Sequence, residues 1–384
     1  MKFVDEFRDN RRALELKKGI HQLASQLPKR ERPLQLMEFC GGHTHTIFRY
    51  AIEQMLPDNI EMVHGPGCPV CVLPMERVDR CVNIARRPEV IFCTFGDAMR
   101  VPGSNGSLLQ AKAEGADIRM VYSPLDALAL ARANPERQVV FFGLGFETTS
   151  PSSAFTVLQA ESLGLNNFSL LCNHIATAPT IRAVLDAPDV QVEGFVAPGH
   201  VSMVIGSHPY QFIVDQYQRP LVIAGFEPLD IMQSIWMLLQ QFVDGRCAVE
   251  NQYTRVVRDD GNAQALAALD KVFEPSESTE LRGLGALENA GLQITNAYAH
   301  FDAERRFEAS TESTQAPACG QCGSVVRGVI KPWQCEAFGQ SCTPDNPIGA
   351  LMVSSEGACA AYYNYGDLQE LLARRDHAPE AQPA

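Results

Sequence analysis

The chain has 384 residues, 46% of them hydrophobic, and its 32 basic and 45 acidic residues give a net charge of −13. This length predicts roughly two or three domains, each able to bury a core. The negative charge argues against a nucleic-acid partner held by phosphate contacts. With no signal-like N-terminus and no long apolar run, we expect a soluble cytoplasmic protein without a membrane partner.

Short apolar runs alternate with helical stretches between residues 34 and 228, which is typical of an α/β fold. We predict eight strands, at residues 34–39, 60–64, 90–94, 118–122, 139–143, 168–172, 192–196 and 221–224. We predict helices at residues 7–27, 46–55, 75–86, 151–163 and 229–243. Eight strands are enough for two small parallel sheets. The polar, proline-containing segment 134–138 is the predicted joint between them.

The predicted domains follow from that joint and from the distribution of cysteines. Residues 1–135 and 136–245 form two α/β domains, residues 246–373 a cysteine-rich domain, and residues 374–384 a disordered tail. A helix after residue 360 is expected to pack on the first domain. The stretch 259–316 is expected to be helical and loop-like.

Polar and reactive residues gather directly after predicted strands, where parallel sheets build their sites. The turns are CGGH at 40–43, HGPGC at 64–68, GLGFE at 143–147, APGH at 197–200 and GFEP at 225–228. Their glycines allow close backbone approach or serve only as connectors. Cys40 and His43 do not form turns by preference, which favours a chemical role for them. The GLG turn lacks a third glycine and carries Glu147, so nucleotide binding is not favoured.

Cys68 and Cys71 enclose a proline in a CPVC motif that precedes a predicted helix. A helix start lowers the pKa of a thiol and favours reversible dithiol chemistry. Half of a zinc site is the rival interpretation, although no second cysteine pair lies close in sequence. Four other cysteines lie in apolar contexts and are interpreted as packing residues: Cys81, Cys93, Cys172 and Cys247. His200 and His208 are interpreted as hydrogen-bonded residues rather than metal ligands.

Five cysteines fall within 41 residues near the end of the chain: Cys319, Cys322, Cys335, Cys342 and Cys359. The gaps between the last four are too irregular for a zinc ribbon, which has two close pairs. The last four are enough for a 4Fe–4S cluster, and Cys319 is able to replace Cys322. Spacing alone leaves zinc bound by four of the five as an open alternative.

Three segments carry a family resemblance: FCGGHTHT at 39–46, HGPGCPVC at 64–71, and SSEG at 354–357 before Cys359. Together they closely resemble the HypD family of hydrogenase maturation factors over nearly the whole chain. The resemblance implies two related α/β domains and a third, iron–sulfur domain, which favours the 4Fe–4S cluster over zinc. It also implies a scaffold that assembles the iron centre of nickel–iron hydrogenase, bearing two cyanides and one carbon monoxide. The implied partners are a HypC-type chaperone and a HypE-type cyanide donor.

The same resemblance assigns roles to particular residues. It implies that Cys40 is the iron ligand, with His43 beside it, and that Cys68 and Cys71 are the redox pair. We expect His43 to donate a hydrogen bond to a cyanide nitrogen or to tune the thiolate, and not to bind iron itself. The implied supporting groups are Asp97 and Glu356.

The alternative function is a stand-alone protein disulfide reductase that depends on a 4Fe–4S cluster. In that case Cys68 and Cys71 would reduce a separate protein. Whether the chain is an enzyme in its own right stays open at this point.

Overall fold

A computed structural model describes residues 5–104, 106–307 and 321–377. Its strands are β1 Leu34–Glu38, β2 Ile60–His64, β3 Val90–Thr94, β4 Ile118–Met120, β5 Gln138–Gly145, β6 Phe168–His174, β7 Gly194–Pro198, β8 Leu221–Ala224, β9 Val249–Asn251, β10 Phe273–Pro275, β11 Thr279–Leu281, β12 Gly285–Leu287 and β13 Leu292–Ile294. Its helices are α1 Asn10–Ala24, α2 Gly41–Arg49, α3 Met75–Ala85, α4 Leu108–Ala113, α5 Pro124–Ala133, α6 Ser150–Ser162, α7 Thr177–Asp186, α8 Gly199–Ile205, α9 Gln211–Tyr217, α10 Pro228–Val243, α11 Ala263–Val272, α12 Ala303–Phe307, α13 Cys322–Val326, α14 Ala358–Tyr365 and α15 Leu368–His377.

Two parallel sheets form the framework, as the α/β prediction requires. The first sheet has the strand order β2-β1-β7-β8-β9 and the second has the order β4-β3-β5-β6. Helices cover the sheets, so the central strands are buried on both faces and appear in the sequence as continuous apolar runs. All eight predicted strands exist, with ends displaced by up to two residues.

The chain divides between the two sheets differently from the predicted division at residue 135. It builds β1 and β2, crosses to the second sheet for β3 to β6, and returns through α7 for β7 to β9. The segment 134–138, predicted as a joint, connects α5 to β5 inside the second sheet. A polar turn has the same composition within a sheet as between domains, and strand pairing is a long-range property that local composition does not carry.

Helix α5 shows how local sequence sets an element that the apolar pattern did not reveal. Ser123 is the N-cap and Pro124 occupies the first turn, while the side chain of Asp126 accepts a hydrogen bond from the Ser123 amide. This capping box satisfies amides that a helix start otherwise leaves without partners. The helix therefore begins where the serine and proline stand.

The region expected to be helical and loop-like contains more strand than predicted. Besides α11, it holds two antiparallel ribbons, β10 with β13 and β11 with β12. Each strand has only three residues, too few to show an alternating apolar pattern. Residues 308–316 of this region lie outside the described residues.

The C-terminal segment from residue 321 packs on both sheet units. Helix α14 lies against α2, where the rings of Phe48 and Tyr362 have centroids 4.4 Å apart. Helix α14 therefore contacts the part of the chain on which a late helix was expected to pack. Helix α15 runs to His377, so residues 374–377 of the predicted disordered tail are helical and residues 378–384 lie outside the described part. Within the described ranges, no helix combines the length and the apolar character needed to cross a membrane.

Candidate functional site

Cys40 lies at the carboxyl end of β1, as the sequence predicted. It is the N-cap residue of α2, with φ −148° and ψ 120°, and it is half-buried. Helix α2 was predicted to begin at residue 46, but it begins at Gly41. A Cβ on Gly41 would lie 2.5 Å from the Cβ of Glu356, and one on Gly42 would lie 2.9 Å from the ring of Phe226. The two glycines are therefore helical positions that neighbouring side chains approach closely.

A cleft of about 310 Å³ opens beside Cys40, between the carboxyl ends of the two sheets. Its lining includes the turn after β1, the loop that carries the CPVC motif, four threonines from the second-sheet side and α7, and Glu356. The chain crosses between the sheets near this cleft, so residues distant in sequence meet there. Such carboxyl-end crevices are the usual ligand sites of parallel sheets.

A buried carboxylate, Glu38, holds the turn that carries Cys40. Glu38 has no exposed surface, and its Oε2 accepts a 2.7 Å hydrogen bond from the amide of Cys40. Its Oε1 accepts a hydrogen bond from the hydroxyl of Thr44 and lies 2.7 Å from Nδ1 of His64. Burial disfavours the charged form of His64, but the hydrogen bond with Glu38 and the nearby carboxylates of Glu38 and Glu53 outweigh it and raise the pKa of His64.

The electrostatic surroundings of Cys40 favour the neutral thiol. Burial, followed by the charges of Glu38 and Glu356, raises the pKa of the Cys40 thiol, and the amides of His43 and Gly42 oppose this rise only partly. A thiolate in such a place gains from a cation bound to it, because the cation replaces the lost solvation. The site therefore keeps Cys40 as a neutral thiol unless a cation binds its sulfur.

Cys68 and Cys71 are joined as a disulfide, with 5.3 Å between their Cα atoms and only 5% and 3% of their surfaces exposed. Their loop touches the Cys40 turn, since the amide of Gly41 donates a 3.4 Å hydrogen bond to the carbonyl of Gly67. The helix predicted after this motif begins at Met75, as predicted, which is four residues after Cys71. The helix dipole therefore gives no support to the argument for a lowered thiol pKa.

Asp97 and Glu356 reach the same site from distant parts of the chain. The hydroxyl of Ser354 donates a 2.7 Å hydrogen bond to Oδ2 of Asp97 and accepts a 3.3 Å bond from the amide of Glu356. Burial raises the pKa of Glu356, and the charges of Asp97 and Glu38 add to the rise. A Cβ on Gly357 would lie 3.1 Å from the sulfur of Cys71, so this loop also packs on the disulfide.

His43 does not line the cleft. It is fully buried, its Nε2 lies 3.3 Å from the carbonyl oxygen of Ala224, and burial lowers its pKa to about 4. His200 does line the cleft, and its ring stacks on Phe226 with 3.7 Å between centroids. His208 is on the surface, where Nε2 is 3.3 Å from Asp260.

The four cysteines predicted to hold a cluster lie in one module. Cys335, Cys342 and Cys359 are buried within a single hydrophobic cluster, and the half-buried Cys322 packs against it. Soft thiols in apolar surroundings are the right kind of donor for a 4Fe–4S cluster. Among the residues that the structure describes, no three histidine, cysteine or acidic side chains form a group that could hold a metal, and Cys319 lies outside them. The cluster therefore stays a prediction.

The four cysteines interpreted as packing residues differ in how deeply they are buried. Cys81 and Cys93 are fully buried, and burial raises the pKa of Cys93 to about 12. Cys172 is half-buried and its thiol donates to the carbonyl of Leu292, at 3.1 Å, while Cys247 is half-buried. None of them lines the cleft beside Cys40.

Three site residues were missed by sequence reasoning: Glu38, Phe226 and His200. Glu38 was counted as part of an apolar strand, although a carboxylate in a buried run is itself a signal. Phe226 stands in the GFEP turn, of which only the general position was considered, and His200 in the APGH turn was interpreted only as a hydrogen-bonded residue. A polar or aromatic residue in a turn after a buried strand was the available signal.

Comparison with known proteins gives a consistent assignment. A model of the family described as "HypD: Hydrogenase formation hypA family" matches residues 12–366. The hydrogenase maturation factor HypD of Rhodobacter capsulatus is 58% identical over 374 residues, which cover 95% of this chain and 98% of the relative. The factor of the same name from Escherichia coli K12 is 55% identical over 366 residues, covering 95% and 98%. That of Rhizobium leguminosarum is 51% identical over 384 residues, covering 98% of both.

Proposed function

This chain belongs to the HypD family, and we propose that it is the scaffold on which the iron centre of a nickel–iron hydrogenase is assembled. In this proposal the iron, with two cyanides and one carbon monoxide, is cargo. The observation that supports it is the cleft of about 310 Å³ beside Cys40. Because a water molecule takes up about 30 Å³ of liquid volume, this cleft has room for an iron with three diatomic ligands.

In the proposed mechanism Cys40 binds the iron through its sulfur. The thiol loses its proton as the iron–sulfur bond forms, and low-spin iron with cyanide and carbon monoxide suits a soft thiolate. Glu356 lines the same cleft, and its raised pKa equips it to accept that proton. Glu38 keeps the Cys40 turn in place through its bond to the Cys40 amide.

The CPVC pair is proposed to cycle between disulfide and dithiol. Reduction of the Cys68–Cys71 bond takes up two electrons and two protons and gives two thiols. Four cysteines are proposed to hold a 4Fe–4S cluster: Cys322, Cys335, Cys342 and Cys359. When bound, such a cluster supplies electrons one at a time.

The proposed partners are a small HypC-type chaperone that shares the iron and a HypE-type protein that donates cyanide. They follow from family membership. The alternative is a stand-alone disulfide reductase, favoured by the presence of a disulfide in the CPVC motif. A reductase must expose a sulfur to a protein substrate, whereas Cys68 and Cys71 are almost completely buried. The scaffold is therefore the better supported proposal.

Infrared spectroscopy of the purified complex with the chaperone tests the proposal. The unchanged protein should show cyanide and carbon monoxide bands and carry about five irons, of which a cluster accounts for about four. Cys40→Ala should remove those bands and leave the visible absorption of the cluster, while Cys247→Ala, at a half-buried site outside the cleft, should change neither. Bands that persist in Cys40→Ala would show that the iron is held elsewhere. About four irons and no bands in the unchanged protein would favour the reductase.

A further inference from the structure

Two stacked aromatic rings, those of Phe226 and His200, form one wall of the cleft beside Cys40. Phe226 lies between two histidines, with its centroid 4.7 Å from that of His43 and 3.7 Å from that of His200. The ring of Phe226 packs closely on Gly42, where a Cβ would lie 2.9 Å from the ring. His200 stacks nearly parallel to Phe226, with 19° between the ring planes. The imidazole of His200 is therefore held in place by stacking rather than by hydrogen bonds.

The two histidines differ in how their nitrogens are used. Nε2 of His43 faces the carbonyl of Ala224, and the ring is fully buried in the first sheet unit. His200 stands in the first turn of α8, is exposed on one side and lines the cleft. Among the described residues no hydrogen-bond partner of His200 is found. Its ring N–H is thus available to a molecule in the cleft.

Most other hydroxyl donors in the cleft are already engaged with the protein. Thr177 donates to Glu147 at 2.6 Å, and Thr180 donates to the carbonyl of Ala176 at 2.8 Å. The hydroxyl of Thr149 lies 3.3 Å from carbonyl oxygens of its own turn, whereas Thr148 is exposed. His200 is the donor whose orientation the surrounding side chains fix.

Part of the remaining lining of the cleft is apolar. Phe146, Ile181 and Val201 line it and are at most 5% exposed. A metal-bound cyanide carries negative charge on nitrogen and accepts a strong hydrogen bond, while a metal-bound carbon monoxide is a poor acceptor that apolar surroundings suit. The cleft therefore offers surroundings for both kinds of ligand, a ring N–H donor at His200 and apolar side chains elsewhere in its lining.

We propose that His200 is a binding residue that donates a hydrogen bond from its ring N–H to the nitrogen of an iron-bound cyanide, and that the apolar part of the lining receives the carbon monoxide. This inference rests on the proposed function. It places the cyanide contact on His200 and leaves His43 as a buried support for Phe226. No covalent or redox step is involved.

Infrared spectra of the complex with the chaperone test this assignment through His200→Ala and His200→Gln. Removing the donor should shift at least one cyanide band and change the carbon monoxide band much less. The glutamine amide restores an N–H donor and should return the cyanide band toward its original position. His208→Ala removes an exposed histidine outside the cleft and should leave all bands unchanged.

Each outcome separates this inference from the proposed function. Cyanide bands at their original positions in His200→Ala would overturn the inference, and loss of the bands in Cys40→Ala would still support the scaffold. Loss of all bands in both His200 variants, with unchanged thermal melting, would overturn the hydrogen-bond assignment, since the glutamine keeps a donor. Loss in the alanine variant alone would support it. Absence of the bands in the unchanged complex would contradict the proposed function itself.

Discussion

Glu38 shows how one buried side chain determines the geometry of a reactive one. A carboxylate with no exposed surface is costly unless its oxygens are hydrogen-bonded, and here the Cys40 amide, the Thr44 hydroxyl and the His64 ring meet that need. The same three bonds tie the first turn of α2 to the end of β2. The position of the Cys40 sulfur therefore depends on a group that does not line the cleft.

We expect Glu38→Gln to lower the free energy of unfolding by about 1–3 kcal/mol, because an amide cannot satisfy the same three donors. The effect depends on pH. The raised pKa of His64 stabilises the fold fully below its unfolded pKa, about 6.5, and this contribution is lost as pH rises through the higher folded pKa. Urea unfolding should show a larger loss at about pH 6 than at about pH 9. The exposed Glu15→Gln is the control, and equal losses in both variants would contradict the argument.

At the residue scale, the sequence predicted the reactive groups better than the side chains that hold them in position. Cys40, Asp97 and Glu356 do converge, because motifs mark the residues that carry chemistry. The contacts of Glu38 with His64, and of His200 with Phe226, could not be predicted from sequence. They depend on which strands lie side by side, and that is decided by pairing across the whole chain.

The loop from His64 to Cys71 depends on a close backbone approach. Gly67 passes so near the Cys40 turn that a Cβ there would lie 2.1 Å from the carbonyl carbon of Phe39 and 2.2 Å from the nitrogen of Cys40. Both neighbours are main-chain atoms, which cannot move aside as a side chain can. The loop that carries the disulfide is therefore fitted to the loop that carries Cys40.

Gly67→Ala should reduce stability by about 3 kcal/mol or more, because one of the two loops must move as a whole. Gly96→Ala is the matched control, since it also follows a strand but its Cβ would meet only the flexible end of Met120, at 3.0 Å. We expect the control to lose about 1 kcal/mol or less. Thermal melting of both variants measures the difference. Equal melting temperatures would mean that the loops can separate without loss.

Strands were predicted well at the level of elements, and several helices were not. Buried parallel strands are continuous apolar runs, which a short window detects. Helix α2 begins with two glycines that resemble a turn, and α8 and α9 have only seven residues each, too few for a clear helical period. Tertiary packing, as of Phe226 on Gly42, decides these helix starts.

At the scale of the whole molecule, no single boundary in the sequence separates the two sheet units. The chain leaves the first sheet after β2 and returns to it at β7, so β3 to β6 are inserted in the first unit. The cysteine-rich module then bridges both, with α14 on α2 and its buried cysteines in the hydrophobic cluster that also contains Val82 and Phe92. A movement of that module would therefore change the lining of the Cys40 cleft.

An ionic contact connects the module to the first sheet. Nζ of Lys331 lies 3.4 Å from Glu53 and 3.6 Å from Glu61, and it also donates to the carbonyl of Met62. Burial would raise the pKa of Glu53, but the charge of Lys331 and the His64 ring, whose Nε2 lies 3.8 Å from Oε1 of Glu53, outweigh it and lower the pKa to about 2. A carboxyl group with a lowered pKa stabilises the fold above its unfolded pKa, near 4.5, and that contribution is lost as pH falls through about 2.

Lys331→Met keeps most of the unbranched side chain and removes its charge, so the pKa of Glu53 should rise toward its ordinary value. We expect a loss of about 2 kcal/mol near neutral pH, since charge-assisted bonds to a half-buried carboxylate disappear. The acid limb of the stability profile should also move to higher pH. Urea unfolding between about pH 2 and pH 7 measures both effects, with the exposed Lys18→Met as control. If the two profiles coincide, the contact contributes nothing measurable, and hydrophobic packing such as that of Phe48 on Tyr362 holds the module in place.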